Sequence, residues 1–343
     1  MRKLFLFISF SLLQSPACAA QPDSLPTYRN LVFEGGGVRG IAYAGALTAL
    51  EQRGTLKTIE RVGGTSVGAI TALLVALNYS AAEMKTVLDD LNIGQFNDGR
   101  LFFVGGFSRM GRTYGWYRGE RFERWLEGLI ARKTGDPRLT FAQLHQRLPG
   151  QPFRDLYVTG TNLTTQRAVV FSHEQTPDMA LATAVRISMS VPLYFGAVLL
   201  DTTNQVVTRP KRGQAYQVLV DGGIANNYPL DLFDVNGKPN PQTLGLKLER
   251  PEQIGQFQTD TDIAPYQIRS LGDYTAAFYN FVIENLNRRW PMADEQRRTI
   301  YISTEGITPR VRRMSATDKA KLFESGKRAV VGFNSALPKP APH

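Results

Sequence analysis

Cysteine is almost missing from this chain: Cys18 stands alone among 343 residues. That excludes a disulfide framework and any metal site built from several thiolates. Histidine is nearly as scarce, with His145, His173 and His343 the complete set. No spacing of Cys, His, Asp or Glu reads as a metal-ligand cluster, so no metal is expected. Zinc-finger, homeodomain and RNA-binding signatures are also lacking, so no nucleic-acid partner is expected. There is no internal repeat, and the only biased tract is the Pro-rich end Leu337–His343.

The first twenty residues differ from the rest. Arg2 and Lys3 precede the apolar run Leu4–Leu13, and Pro16 and Ala17-Cys18-Ala19 follow. This is the layout of a secretory signal peptide over 1–20, predicting export to the periplasm or beyond. About ten apolar residues are too few to cross a bilayer, which takes roughly 20. Lipid anchoring at Cys18 is disfavoured, because Ser15 and Pro16 stand where a lipobox has Leu and a small residue. After cleavage no thiol remains. Without Arg2 and Lys3, 38 basic residues face 30 acidic ones, a cationic balance suited to anionic surfaces.

Residues 21–343 read as a single domain, since no linker composition divides them. Strands are predicted at Arg29–Phe33, Leu156–Thr159, Ala168–Phe171, Gln217–Val220, Leu244–Leu248 and Thr299–Ser303, with a short apolar segment at Ile59–Val62. Helices are predicted at Ile41–Gln52, from Val67 to about Asn78, at Glu120–Ala131, Phe141–Arg147, Asp178–Met189, Tyr266–Arg289 and Ala316–Asn334. Another starts at Ser80 with Glu83 placed for a capping box. Alternating strands and helices give an α/β fold with a mostly parallel central sheet covered on both faces. The stretch 97–119 reads as irregular.

Three segments carry chemistry. Glu34-Gly35-Gly36-Gly37-Val38-Arg39-Gly40 is a glycine loop between a strand and a helix. Gly64-Thr65-Ser66-Val67-Gly68 is G-x-S-x-G in the strand–turn–helix context of a nucleophile elbow. There the glycines permit the tight turn and Ser66 sits at a helix N-terminus that favours developing negative charge. A serine needs a base. His145 falls in an amphipathic helix and His343 at the chain's end, which leaves His173 as the one candidate imidazole. Asp221-Gly222-Gly223 offers a carboxylate instead, at the end of a strongly apolar strand, the functional edge of a parallel sheet.

Together these segments resemble the patatin-like phospholipase family, which carries a [DE]-G-G-G-x-[RK]-G loop, a G-x-S-x-G elbow and a D-G-[GA] turn in that order. "LTFAQL" (Leu139–Leu144), "SMSVPLYF" (Ser188–Phe195) and "NNYP" (Asn226–Pro229) match further blocks, so the resemblance runs from about 28 to about 335. It implies a three-layer α/β/α fold and a lipid acyl hydrolase, of phospholipase A or lysophospholipase type, working through a Ser–Asp dyad and an acyl-enzyme. Ser66 would be the nucleophile and Asp221 the base. The amides of Gly35, Gly36 and Gly37 would form the oxyanion hole, a donor there being worth about 2.7–4 kcal/mol. Arg39, Gly40, Gly64, Gly68, Gly222 and Gly223 would support the motifs, Arg39 either bracing the loop or meeting a lipid phosphate. No metal or organic cofactor is implied, nor a need for calcium. The implied partner is a phospholipid membrane or micelle surface, and the family also allows a protein activator.

Three alternatives follow from the same residues. Gly35, Gly37 and Gly40 satisfy G-x-G-x-x-G, and Glu60 lies twenty residues beyond Gly40, where a dinucleotide site would place its ribose acid. That reading leaves the elbow and the D-G-G turn unexplained. A conventional Ser–His–Asp hydrolase would make His173 essential. A non-catalytic or partner-activated lipid-binding protein on the same scaffold is the third. The segment Leu101–Tyr117 interleaves aromatics and arginines, a composition suited to the lipid–water interface.

Overall fold

The computed structural model describes residues 27–99, 102–208, 211, 213–256, 293–307 and 314–333, with 268, 269, 274, 277, 278 and 281. The expected signal peptide, the Pro-rich tail and most of the expected helix Tyr266–Arg289 lie outside the described residues.

An eight-stranded sheet forms the centre, in the order β10-β9-β1-β2-β4-β8-β7, with β5 also paired to β4. Five strands run parallel: β10 (Thr299–Ser303), β9 (Thr243–Glu249), β1 (Asn30–Phe33), β2 (Arg61–Gly64) and β4 (Asp155–Asn162). β5 (Arg167–Phe171) and β8 (Gln217–Asp221) run antiparallel to β4, and β7 (Val198–Leu200), antiparallel to β8, returns to the direction of the first five. β1 and most of β4 are buried, as strands covered on both sheet faces are, and Asn30, Thr159, Thr161 and Asn162 are buried with their apolar neighbours. Helices lie on both sides of the sheet.

Helix α1 (Ile41–Gln52) packs against the helix Ala316–Gly332 at backbone distance. A Cβ on Gly45 would fall 1.8 Å from the Phe323 carbonyl oxygen, and one on Gly326 1.9 Å from that of Ala42. The two glycines therefore set the interhelical spacing. Gly45→Ala should cost about 1–3 kcal/mol through forced separation, read as a lower urea midpoint with an unchanged m-value.

Helix α2 (Val67–Ala76) is buried along its whole length. Helix α3 (Ala81–Asp90) begins with the expected capping box, Ser80 and Glu83 each serving the other's backbone N–H. The stretch 97–119 departs from expectation, because it contains helix α4 (Phe102–Thr113) and strand β3 (Gly115–Tyr117). Its glycines suggested a loop, yet Gly106 lets α4 lie on the Trp116 ring, which a Cβ there would approach to 2.8 Å. β3 pairs with β6 (Leu193–Phe195) in a small second sheet. Helices α5 (Glu120–Thr134), α6 (Phe141–Gln146) and α7 (Leu181–Ser188) follow, α6 lying by the start of β4 and α7 leading into the segment that meets Ser66.

Candidate active site

Ser66 joins β2 to α2 and holds φ 54° and ψ −122°, a strained conformation for a residue with a side chain. The elbow's glycines explain how it is reached. A Cβ on Gly64 would meet the Gly68 carbonyl oxygen at 2.4 Å, and one on Gly68 would meet the Phe33 carbonyl oxygen at 2.5 Å. Only bare backbone lets the turn close over the end of β1. Thr65 locks it by donating its N–H to the Phe33 carbonyl and bonding Thr159 and the Asn226 carbonyl through its hydroxyl. The Ser66 N–H donates to Ser188 Oγ at 2.8 Å.

Asp221 reaches the same level by an unexpected route. β8 runs antiparallel to β4, not parallel as its position at a functional edge suggested. The register compensates, because Gly64 pairs with Val158, and Gly160, two residues on, pairs with Asp221. Asp221 is thus level with the residue two beyond Gly64, which is Ser66. Ser66 Oγ donates to Asp221 Oδ2 at 3.1 Å, and Met189 Sδ lies 3.2 Å from the same hydroxyl. The carboxylate is 1% exposed and Ser66 8%. Burial pushes the Asp221 carboxyl up to about 7, although the Gly223 N–H and the Ser66 hydroxyl both stabilise its charge. The Gly223 N–H donates to Asp221 Oδ1 at 2.8 Å. Gly222 allows that turn, since its Cβ would sit 2.6 Å from the Thr159 carbonyl oxygen.

The glycine loop lies over Ser66, and its three amides differ. The Gly35 N–H donates to the Asn227 carbonyl, so it is already engaged. The Gly35 carbonyl accepts from Asn227 Nδ2, and the Gly36 carbonyl accepts from the backbone N–H and Nε of Arg39. In a trans peptide the N–H points opposite to the C=O. Asn227 thus turns the Gly36 amide away from itself, and Arg39 turns the Gly37 amide away from itself. Of the two roles open to Arg39, bracing the loop is the one its contacts match. Gly40 permits close packing on α2, where its Cβ would meet Val67 Cγ2 at 2.4 Å.

Two buried charged neighbours, Glu34 and Arg186, were given no role by the sequence. Glu34 is buried, accepts the Leu248 N–H at 2.9 Å, and its carboxyl is raised by burial to about 8. Arg186, 4% exposed, donates to the carbonyls of Arg118, Gly119 and Gly196 and to Ser190 Oγ. The Ser190 carbonyl in turn accepts the Asp221 N–H at 2.9 Å. His173 is not at this site. It stacks on His145 beside Asp155, at the other end of β4.

A family model described as "Patatin-like phospholipase" matches residues 31–234. YqhO of Bacillus subtilis is 27% identical over 88% of this chain and 96% of its own length. A mimivirus protein, R571, is 30% identical, and a "Probable lipid hydrolase", 463L of Invertebrate iridescent virus 6, is 27% identical; each aligns with 60% of this chain. The alignments span only 61% and 63% of those two viral proteins. Among solved structures, VipD from Legionella pneumophila superposes with a TM-score of 0.59, at 19% identity, over 90% of this chain and 67% of that one.

Proposed function

The chain belongs to the patatin-like phospholipase family, and from that premise we propose that it is a lipid acyl hydrolase cleaving carboxylic esters of glycerophospholipids. The observation that carries this reading is the Ser66 hydroxyl donating to a buried carboxylate at 3.1 Å. Ser66 Oγ attacks the ester carbonyl as its proton passes to Asp221. Charge developing on the carbonyl oxygen is met by the Gly36 and Gly37 amides and the N-terminus of α2. Asp221 then gives its proton to the departing lipid alcohol. Water, deprotonated by the same carboxylate, releases the fatty acid and restores Ser66. A carboxyl raised to about 7 suits a base at neutral pH. Fatty-acid release from phospholipid micelles tests the assignment, with Ser66→Ala as the control; equal release by both proteins would remove the serine mechanism.

The lipid surface has a matching contact region. Phe107 on α4 is 67% exposed and Leu193 on β6 is 65% exposed, with Tyr114 between their elements. Leu193 pairs with Gly115 in the small sheet, and Phe107 stands edge-on to Trp116 at 5.5 Å. Leu193 lies five residues beyond Ser188, which holds the Ser66 amide, so one loop segment carries both the apolar face and a support of the nucleophile. Burying one such side chain in lipid yields about 1.5–3 kcal/mol. Phe107→Ser combined with Leu193→Ser should therefore weaken vesicle flotation at least tenfold, with thermal unfolding unchanged. Undiminished flotation by the folded double variant would discard this contact.

A further inference from the structure

We propose that His145, Asp155 and His173 form a binding site for a single zinc-class divalent cation, at the opposite end of the sheet from Ser66. The three come from separate elements: α6, the start of β4 and the turn after β5. Asp155 pairs with Arg61 at the beginning of β2, whereas Ser66 follows that strand's last residue. The cluster is thus independent of the hydrolytic site.

The donors are gathered. Asp155 Oδ1 lies 2.8 Å from His145 Nδ1 and 3.4 Å from His173 Nδ1, and one ligand atom from each of the three residues falls within 4.8 Å of the other two. Tetrahedral zinc, with bonds of 2.0–2.2 Å, holds its donors about 3.4 Å apart, and imidazole binds it in the ring plane, so the ion enters once the half-exposed His145 ring turns out of its parallel stack on His173 and opens its contact with Asp155. His173 Nδ1 is buried and hydrogen-bonds to nothing among the described residues. The two imidazoles stack with centroids 3.9 Å apart and planes 7° from parallel. One carboxylate oxygen facing two imidazole nitrogens leaves one of them unserved, whereas a cation accepts all three donors.

A supporting shell is also present. Glu174 Oε1 lies 3.8 Å from His173 Nε2, on the far side of the ring, and is held by the Tyr157 hydroxyl at 3.0 Å. A carboxylate behind a ligating histidine is the arrangement that orients imidazole toward zinc. His145 is 48% exposed, which gives an entry path and leaves a fourth position for water. Two imidazoles and one carboxylate favour zinc-class ions over magnesium or calcium, which take oxygen ligands. Bound there, the ion ties α6 to the β4–β5 pair.

The full chain, stripped with chelator and dialysed, is titrated with Zn2+ and separately with Mg2+, by calorimetry and thermal unfolding. One equivalent of Zn2+ should bind and raise Tm, and Mg2+ should do neither. His145→Asn and His173→Asn should each weaken Zn2+ at least tenfold, and Glu174→Gln about tenfold. His145→Asn alters a half-exposed side chain, so its folding is not at stake. Fatty-acid release should be the same for stripped and loaded protein, which separates this site from the hydrolytic assignment. An absence of Zn2+ binding, or equal affinity in the His145→Asn/His173→Asn double variant, would overturn the proposal.

Discussion

Asp221→Asn is expected to lower fatty-acid release on the order of ten-thousandfold while leaving the protein folded. The amide keeps the shape of the carboxyl and still accepts a hydrogen bond, but it takes no proton from Ser66. Ser66→Ala should be as damaging, and the double variant scarcely worse than either, because groups acting as one unit are not additive. His173→Ala should retain most activity, since that ring sits beside Asp155 and not beside Ser66. The opposite pattern, with His173 essential and Asp221 dispensable, would overturn the dyad.

The pH dependence of activity and of stability should run in opposite directions. The base must be ionised, so activity rises as pH passes through about 7, the value to which burial lifts Asp221. For stability the folded state holds this proton more tightly than the unfolded chain. The resulting stabilisation is fully present below the unfolded value of 3.8 and is lost as pH climbs toward about 7. Glu34, raised to about 8 for the same reason, adds a loss in the window from 4.5 upward. Asp221→Asn removes one of these penalties. At pH 8 it should unfold no earlier than wild type, measured by thermal denaturation, and an earlier Tm would show that the ionised carboxylate contributes more than it costs.

The legible parts of the site are those where backbone meets backbone. Gly64, Gly68 and Gly222 each stand where a Cβ would fall within 2.4–2.6 Å of a carbonyl oxygen, so local geometry forces the residue type and writes itself into a short motif. The parallel strands and their helices were readable for a similar reason, since both-face burial produces unbroken apolar runs. What sequence left hidden depends on tertiary assembly. The direction of β8 leaves no mark on QVLVD, because a buried strand looks alike run either way. Helix α4 was obscured by its glycines, of which Gly106 serves packing against Trp116 and does not break the helix. His145 and His173 read as unrelated surface residues until β4 and β5 brought them to one carboxylate. Arg186, inside the predicted helix Asp178–Met189, belonged to none of the motifs and was given no role.

That arginine carries the second large expectation. It is fully enclosed, with burial lowering its pKa to about 10, and among the described residues it forms no ion pair. Its charge is met by carbonyl dipoles instead: Arg118 at 2.6 Å, Gly119 at 3.1 Å and Gly196 at 2.9 Å. Its ring-face neighbour is Phe195, 5.4 Å away. Hydrogen bonds to a charged group contribute about 1.5–3 kcal/mol each, and buried acceptors left bare add their desolvation cost. Arg186→Met should therefore cost about 3–5 kcal/mol, a large share of the 5–15 kcal/mol typical of a whole domain. At about 2–4 °C per kcal/mol, Tm should drop roughly 6–20 °C. The damage should reach the chemistry, because Arg186 also fixes Ser190, whose carbonyl holds the Asp221 N–H, and the adjoining Ser188 holds that of Ser66. Arg186→Lys discriminates between charge and shape. A lysine keeps the charge, but its compact ammonium does not span three carbonyls as the planar fork does. Arg186→Lys should consequently unfold nearly as early as Arg186→Met, with reduced release of fatty acid below both transitions. A lysine variant whose Tm lies within a degree or two of wild type would mean that a positive charge at this point suffices, and that the fork does not organise the loops carrying Ser188 and Ser190.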